Sequence, residues 1–314
     1  MRRPHYLLSL AFILGCSAGS DVQSIATENP SPTQGAVNPP PSPPPGGATP
    51  SVGVNPPMGS GEFIEPTMPP AVPETPPADC GTALEITVRD FDVSHPDFEM
   101  PFAGDVVRRG LVKPELGADG KPVFLSSKGC PWDEQTPLGC DNWDVEEPEI
   151  ESAESFDQWY RDVPGTNHTF VRTLQLDEVE PGSGRYRYSS NEFFPVGAEE
   201  GWGATPPPHL NQNFLFTTEA HVTFTYERGQ LFSFFGDDDL WIFVNGRLAL
   251  DLGGMHAQAR GTIDFDAQAS DLGIQPGRVY RMDIFHAERH TTASNFQIET
   301  TIGCFTPVPP PIVK

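Results

Sequence analysis

The 314-residue sequence predicts an all-β fold, an antiparallel sandwich or barrel with long loop insertions behind a Pro-rich tether. Three observations carry that expectation. Short apolar stretches alternate with a period of two, and no long helical period interrupts them. Turn signals separate these stretches; the strongest is Asn245-Gly246, where both positions favour positive φ and so a two-residue hairpin. Proline is unevenly spread: 17 of 36 lie between Ser17 and Asp79, a stretch almost without aromatic residues that cannot bury enough apolar surface to offset chain entropy.

From the N-terminus, residues 1–16 read MRRPHYLLSLAFILGC. Arg2 and Arg3 precede an apolar core from Tyr6 to Leu14, too short for a span of roughly 20 residues, so this segment reads as an export signal. Its end, Ile13-Leu14-Gly15-Cys16, resembles the lipobox of bacterial lipoproteins. That resemblance implies lipidation at Cys16 and an outer-membrane lipoprotein, at the cell surface or facing the periplasm, held by acyl chains alone. Residues 17–79 are expected to form a disordered, PPII-rich linker, residues 80–304 the folded domain and residues 305–314 a tail.

Without Cys16, four cysteines remain, an even number that suggests disulfides in an exported chain. The simplest of three pairings is Cys80–Cys304, which brackets the domain, with Cys130–Cys140. Strands are expected at Leu84–Asp92, His221–Tyr226, Leu231–Phe235, Leu240–Val244, Arg247–Leu252 and Gly261–Asp266, with Arg278–Glu288 and Asn295–Thr301 as a hairpin around Arg289–Ser294. Ser155–Val163 reads as one short helix, and Gly117–Glu151 as an acidic insertion loop.

The net charge is -24, which disfavours nucleic acid as a partner because phosphate contacts need a basic surface. Within the domain, Gly236-Asp237-Asp238-Asp239 places three mutually repelling carboxylates at a strand junction. Calcium, a hard cation with oxygen ligands, would compensate them; alternatively they cap a turn or pair with Arg289. In His286-Ala287-Glu288-Arg289-His290, strand periodicity puts His286 on the face of Met282 and Ile284, which reads as a semi-buried histidine; Glu288 and Arg289 would brace the loop against the acidic run. Trp241 reads as core, whereas Trp202, between two glycines, is the candidate sugar platform. No catalytic signature stands out by spacing, so no enzyme is expected.

Several segments resemble the fibro-slime domain: Thr87–Phe91, His95-Pro96-Asp97-Phe98-Glu99, Phe156–Pro164, Phe193-Phe194-Pro195, Phe234–Gly246, Asp251–His256 and Ala287–Phe296. The second half is also similar to the PA14 β-sandwich of toxins, glycosidases and flocculin-type adhesins. The resemblance implies an extracellular, PA14-like antiparallel β-sandwich that binds a glycan or matrix polysaccharide. It further implies calcium held by the acidic loop, here Asp237, Asp238 and Asp239, with Asn295 of a second loop as the added oxygen donor. His256, Glu288, Arg289, His290 and Trp202 would then line the ligand. The alternatives are a slime or fibril assembly protein without a small ligand and, last, a carbohydrate-active enzyme.

Overall fold

The computed structural model describes residues 80–101, 106–132, 148–206 and 211–309. The expectations for the export signal, Cys16 and the linker at 17–79 lie outside these residues. So do Cys140 and the end of the 305–314 tail.

The first strands are β1 (Ala83–Phe91), β2 (Val107–Arg109) and β3 (Cys130–Trp132), followed by the single-turn α1 (Ala153–Phe156). Next come β4 (Asn167–Gln175), β5 (Asp177–Glu178), β6 (Tyr186–Ser190), β7 (Phe216–Thr225), β8 (Leu231–Gly236), β9 (Asp239–Val244), β10 (Arg247–Leu252) and β11 (Ala259–Asp264). Helix α2 (Phe265–Leu272) precedes β12 (Val279–Glu288), β13 (Phe296–Thr300) and β14 (Thr306–Pro307). One sheet runs β10-β9-β12-β7-β1-β4 with β14 beside β7; the other runs β11-β8-β13-β6-β5, and all these pairings are antiparallel.

The fold is therefore all-β and two-layered, as expected. Between the sheets lies a core that includes Val88, Phe216, Phe224, Phe234, Ile242 and Phe296. Strand β9, Asp-Leu-Trp-Ile-Phe-Val, is buried along its whole length. Alternation sends Leu240, Ile242 and Val244 into this core and Trp241 and Phe243 to the outer face of the sheet. That outer face is covered by segments on either side of the insertion loop and by its end: Leu111, Val112, Ile150, Phe156, Trp159 and Tyr160 form a second apolar cluster with Trp241, Phe243 and Phe285. The run is continuous because both of its faces are covered, which is also why Trp241 is core.

The Asn245-Gly246 hairpin forms, with φ of 54° and 74° and Val244 opposite Arg247. The hairpin expected from Arg278–Glu288 and Asn295–Thr301 does not. β12 pairs with β7 and β9 in one sheet, and β13 with β6 and β8 in the other. The loop between them crosses the sandwich, because each strand's apolar face is satisfied only by a different layer. The expected helix at Ser155–Val163 shrinks to Ala153–Phe156 followed by turns. Helix α2 was not anticipated, although Asp264 caps its N-terminus by accepting the Asp266 and Ala267 amides and Gly273 closes it at φ 67°.

Cys80 is disulfide-bonded to Cys304, as the simplest pairing predicted, and Gly81 bridges Phe305 beside it. Closing a loop of this length stabilises by about 2–5 kcal/mol. Cys130 is disulfide-bonded too; its expected partner is outside the described residues.

Candidate functional site

Three connections cross between the sheets at one end: Gly236 to Asp239, Leu252 to Ala259, and Glu288 to Phe296. The registers align them. Ala287 lies opposite Asp239, Glu288 opposite Phe216, and Asp90 opposite Phe216, so the acidic run, the end of β12 and the end of β1 share one edge. Gly236 permits the closest approach: a Cβ there would stand 2.4 Å from the Asn295 carbonyl.

Each member of the acidic run has its own partner. Asp237 accepts the Asn295 backbone amide at 2.5 Å and its Nδ2 at 2.6 Å. Asp238, with φ at 52°, turns its carboxylate to the Arg289 and His290 amides at 2.8 and 3.0 Å. Asp239 accepts the Gly254 amide and the Arg289 Nε, both at 2.6 Å.

Arg289 is the centre of this end. Its guanidinium is wholly buried, lies over the Trp159 ring at 4.8 Å, and donates to the Asp97 and Glu149 carbonyls at 3.1 and 2.7 Å. Glu149 stands 3.7 Å from it and 3.4 Å from the buried Arg108, and accepts the Met255 amide at 3.0 Å. Asp97 takes the Trp159 indole N–H at 2.8 Å, the Ser155 hydroxyl at 3.0 Å and the Glu151 amide at 2.7 Å. The His-Pro-Asp-Phe-Glu and Phe156–Pro164 segments thus clamp the insertion onto the tip.

Of the residues expected to hold calcium, Asp237, Asp238, Asp239 and Asn295, Asp239 is buried and paired with Arg289. Asp237 and Asn295 do come together. Among the described residues, no group of three His, Cys, Asp or Glu side chains is spaced as a preformed metal centre. The donor chemistry nevertheless suits a hard cation. Glu288 is wholly buried, with the Ser294 hydroxyl and the Asp238 carboxyl beside it. Burial, reinforced by Asp238 and Asp237, pushes its carboxyl well above the usual range. Asp238 is pushed up to about 6, by burial first and against the pull of Arg289. The tip therefore gathers more carboxyl groups than Arg289 and Arg108 can pair, and burial favours the neutral forms of Asp238 and Glu288.

The expected ligand-lining residues separate. Glu288 and Arg289 are interior, and so is His256, whose ring nitrogens lie 2.7 Å from the Ala257 carbonyl and 3.2 Å from that of Leu252. All three are buried away from the exposed rim. His290 keeps about 30% of its side chain exposed, and Trp202 is 42% exposed. The Trp202 amide donates to Asp90, and its indole meets His168 at 4.8 Å, which places it at the same end but on the β1–β4 side. His286 is a core residue among Phe193, Phe216, Phe234 and Phe296, its imidazole pushed down to about 3 by burial.

Sequence reasoning missed Glu149, Arg108 and Asp97 as tip residues. Glu149 was one acid among many in the insertion, and nothing in its spacing pointed 140 residues ahead to Arg289.

No family model matches the chain. Curated relatives do. It is 35% identical to Protein psiD of Dictyostelium discoideum over 224 residues, 70% of this chain and 41% of psiD. It is 33% identical to psiQ, over 66% of this chain and 20% of psiQ, and 31% identical to psiC, over 71% and 42%. The chain thus spans about two fifths of these relatives' length or less. The solved epithelial adhesin 6 A domain of Candida glabrata, in complex with Galb1-3GlcNAc, aligns over 78% of this chain and 92% of its own at 10% identity. The TM-score is 0.29.

Proposed function

We propose that this is an exported, lipid-anchored surface protein whose β-sandwich binds a glycan or matrix polysaccharide at the tip, assisted by calcium. The observation that carries the reading is the convergence of three sheet-crossing loops. They bring Asp237, Asp238, Asp239 and Glu288 together with Glu149 of the insertion, against two buried guanidinium groups among the described residues. A divalent cation is the natural complement to that excess. Asp237, Asp238 and Asn295 would hold it, with Glu288 behind them. When bound it would offer sugar hydroxyls a direct oxygen-coordinating partner, and His290 and Trp202 are the accessible side chains from which a glycan could take further contacts.

The export signal, the Pro-rich tether and the fibro-slime and PA14 resemblance support display away from a surface, with Cys16 as the lipidated residue. Among the described residues no helix is long and apolar enough to cross a membrane. No reaction is part of this reading. The test is a glycan-array screen with and without calcium, run beside a thermal melt. Calcium-dependent retention of a glycan, lost in Asn295→Ala, is expected. A melt and an array both indifferent to EDTA would remove calcium from the mechanism, and an empty array would remove the glycan.

A further inference from the structure

An unpaired strand edge is a template for another strand, and folded chains usually blunt it with a bulge, a proline, a charge or extreme shortness. Three sheet ends among the described residues follow that rule. β10 carries a register shift between Leu248 and Leu250, and its Leu248 amide donates to the Pro114 carbonyl at 2.8 Å. β11 runs beside β10 and leads directly into α2. β5 is two residues long, and both are acidic. β4, at the end of the larger sheet, has none of these devices. Its sequence, Asn-His-Thr-Phe-Val-Arg-Thr-Leu-Gln, lacks proline, glycine, lysine and acid, and it pairs with β1 at all nine positions without a bulge. Its central residue, Val171, is 57% exposed, the most of any large hydrophobic side chain among the described residues.

The backbone parity of β4 is fixed at both ends. The Leu176 amide donates to the Thr82 carbonyl at 3.0 Å, in register with the β1 pairing, so even-numbered residues turn their N–H and C=O groups to β1. Odd-numbered residues turn theirs to the open side, where the Asn167 amide donates to the Val163 carbonyl at 3.2 Å. Thr169, Val171 and Thr173 therefore present their amides and carbonyls along the free edge. Among the described residues the Val171 carbonyl alone of these is engaged, by the Arg172 guanidinium at 3.1 Å. Arg172 is also anchored to the Pro195 carbonyl at 2.9 Å and to Glu200 at 2.8 Å, so it can release Val171 without losing its partners. On the inner face Leu174 enters the core and Phe170 packs against it, which leaves Thr169, Val171 and Thr173 side by side on the outer face.

A two-fold axis through Val171 makes this edge its own complement. In an antiparallel pairing centred there, Val171 meets its own counterpart, Thr169 meets Thr173, and Phe170 meets Arg172. The last pair sets a ring against a cation, as the same two side chains already do within one chain at 5.1 Å. No pair sets like charges opposite each other. The outward residues of the two strands would exchange about six backbone hydrogen bonds. The contact is isologous, so it closes at two copies and does not propagate.

We propose that β4 pairs edge to edge with β4 of a second copy of this chain, joining the two larger sheets into one. The pairing stands apart from the tip and does not depend on the glycan or calcium reading.

The test is sedimentation equilibrium of the full chain carrying Cys16→Ser, so that no acyl chain drives association, at concentrations up to about 100 µM, where a small interface is populated. A monomer–dimer equilibrium that EDTA leaves unchanged is expected. Val171→Lys sets two cations opposite each other and should weaken the dimer about tenfold or more at unchanged melting temperature. Thr173→Pro removes an outward amide that the monomer does not use and should weaken it likewise. Val171→Cys should give a disulfide-linked dimer on mild oxidation, because directly opposed residues of this kind stand about 5.5 Å apart at Cα, within disulfide reach. Val93→Cys, 44% exposed but outside the strand, should not. The proposal falls if the chain is monomeric throughout, if Val171→Lys associates as wild type does, if EDTA dissolves the dimer, or if Val93→Cys links as readily as Val171→Cys.

Discussion

Two buried charge assemblies sit on the larger sheet and respond to burial in opposite ways. On the outer face, Glu219 of β7 meets Arg89 at 2.8 Å, Lys121 at 2.5 Å and His221 at 3.3 Å, while Asp283 of β12 takes His221 at 2.6 Å and Arg281 at 2.6 Å. Burial would raise Glu219, but the His221 hydrogen bond, Arg89 and Lys121 outweigh it and hold the carboxyl at about 2. At the tip, burial dominates instead, and Asp238 and Glu288 are raised. Residue types and depth are alike in the two places. What differs is compensation: cations match acids on the outer face and fall short of them at the tip. A matched assembly is structural, whereas an unmatched one leaves room for a ligand that supplies charge.

That contrast can be broken most severely at Arg289. Arg289→Met leaves Asp239 and Glu149 buried without their cation and should cost about 3–5 kcal/mol in urea denaturation. A loss below about 1 kcal/mol would show that the tip is not held by this residue.

Acid should strike the outer assembly next. Glu219 has its folded value below its ordinary 4.5, so its contribution is present above 4.5 and disappears as pH falls through about 2. The size is about 3 kcal/mol, read as the acid limb of stability against pH. Glu219→Gln should flatten that limb; an unchanged limb would mean that Arg89 and Lys121 do not stabilise the carboxylate.

Calcium should sharpen the contrast from the other side. At a hundredfold excess over its dissociation constant it should add about 2.7 kcal/mol. That gain should vanish in Asp237→Asn and persist in Glu219→Gln, as read by melting with and without EDTA. Equal gains in both variants would separate calcium from the tip.

The smallest effect concerns His221. Burial lowers it, but hydrogen bonds to Asp283 and Glu219 more than offset this, and the net shift is upward from 6.5. Its contribution is therefore complete below 6.5 and is lost as pH rises through the folded value. His221→Gln should remove that alkaline step, and a wild-type profile flat from pH 6 to 9 would contradict it.

Much of the architecture was legible along the chain. Asn245-Gly246 dictated its hairpin, alternation marked β1, β7 and β8, and the continuous run Leu240–Val244 signalled burial on both faces. The Cys80–Cys304 bond followed from the two cysteines that bracket the domain. These are local facts: period, turn chemistry and parity act within a few residues or through covalent valence. The crossing of β12 and β13 into different sheets was not legible, because a short loop between two alternating strands suits a hairpin as well as a crossover.

The same boundary runs through the candidate sites. The need of Asp237–Asp239 for compensation was evident from three adjacent carboxylates, and Arg289 was a named partner. That Asp239 alone of the three takes its guanidinium, and that Glu149 and Asp97 close the shell, were decided only by the folded chain. Electrostatic fate depends on distance and dielectric. Residues as far apart in sequence as Asp97 and Arg289 acquire both only when the sheets and the insertion pack.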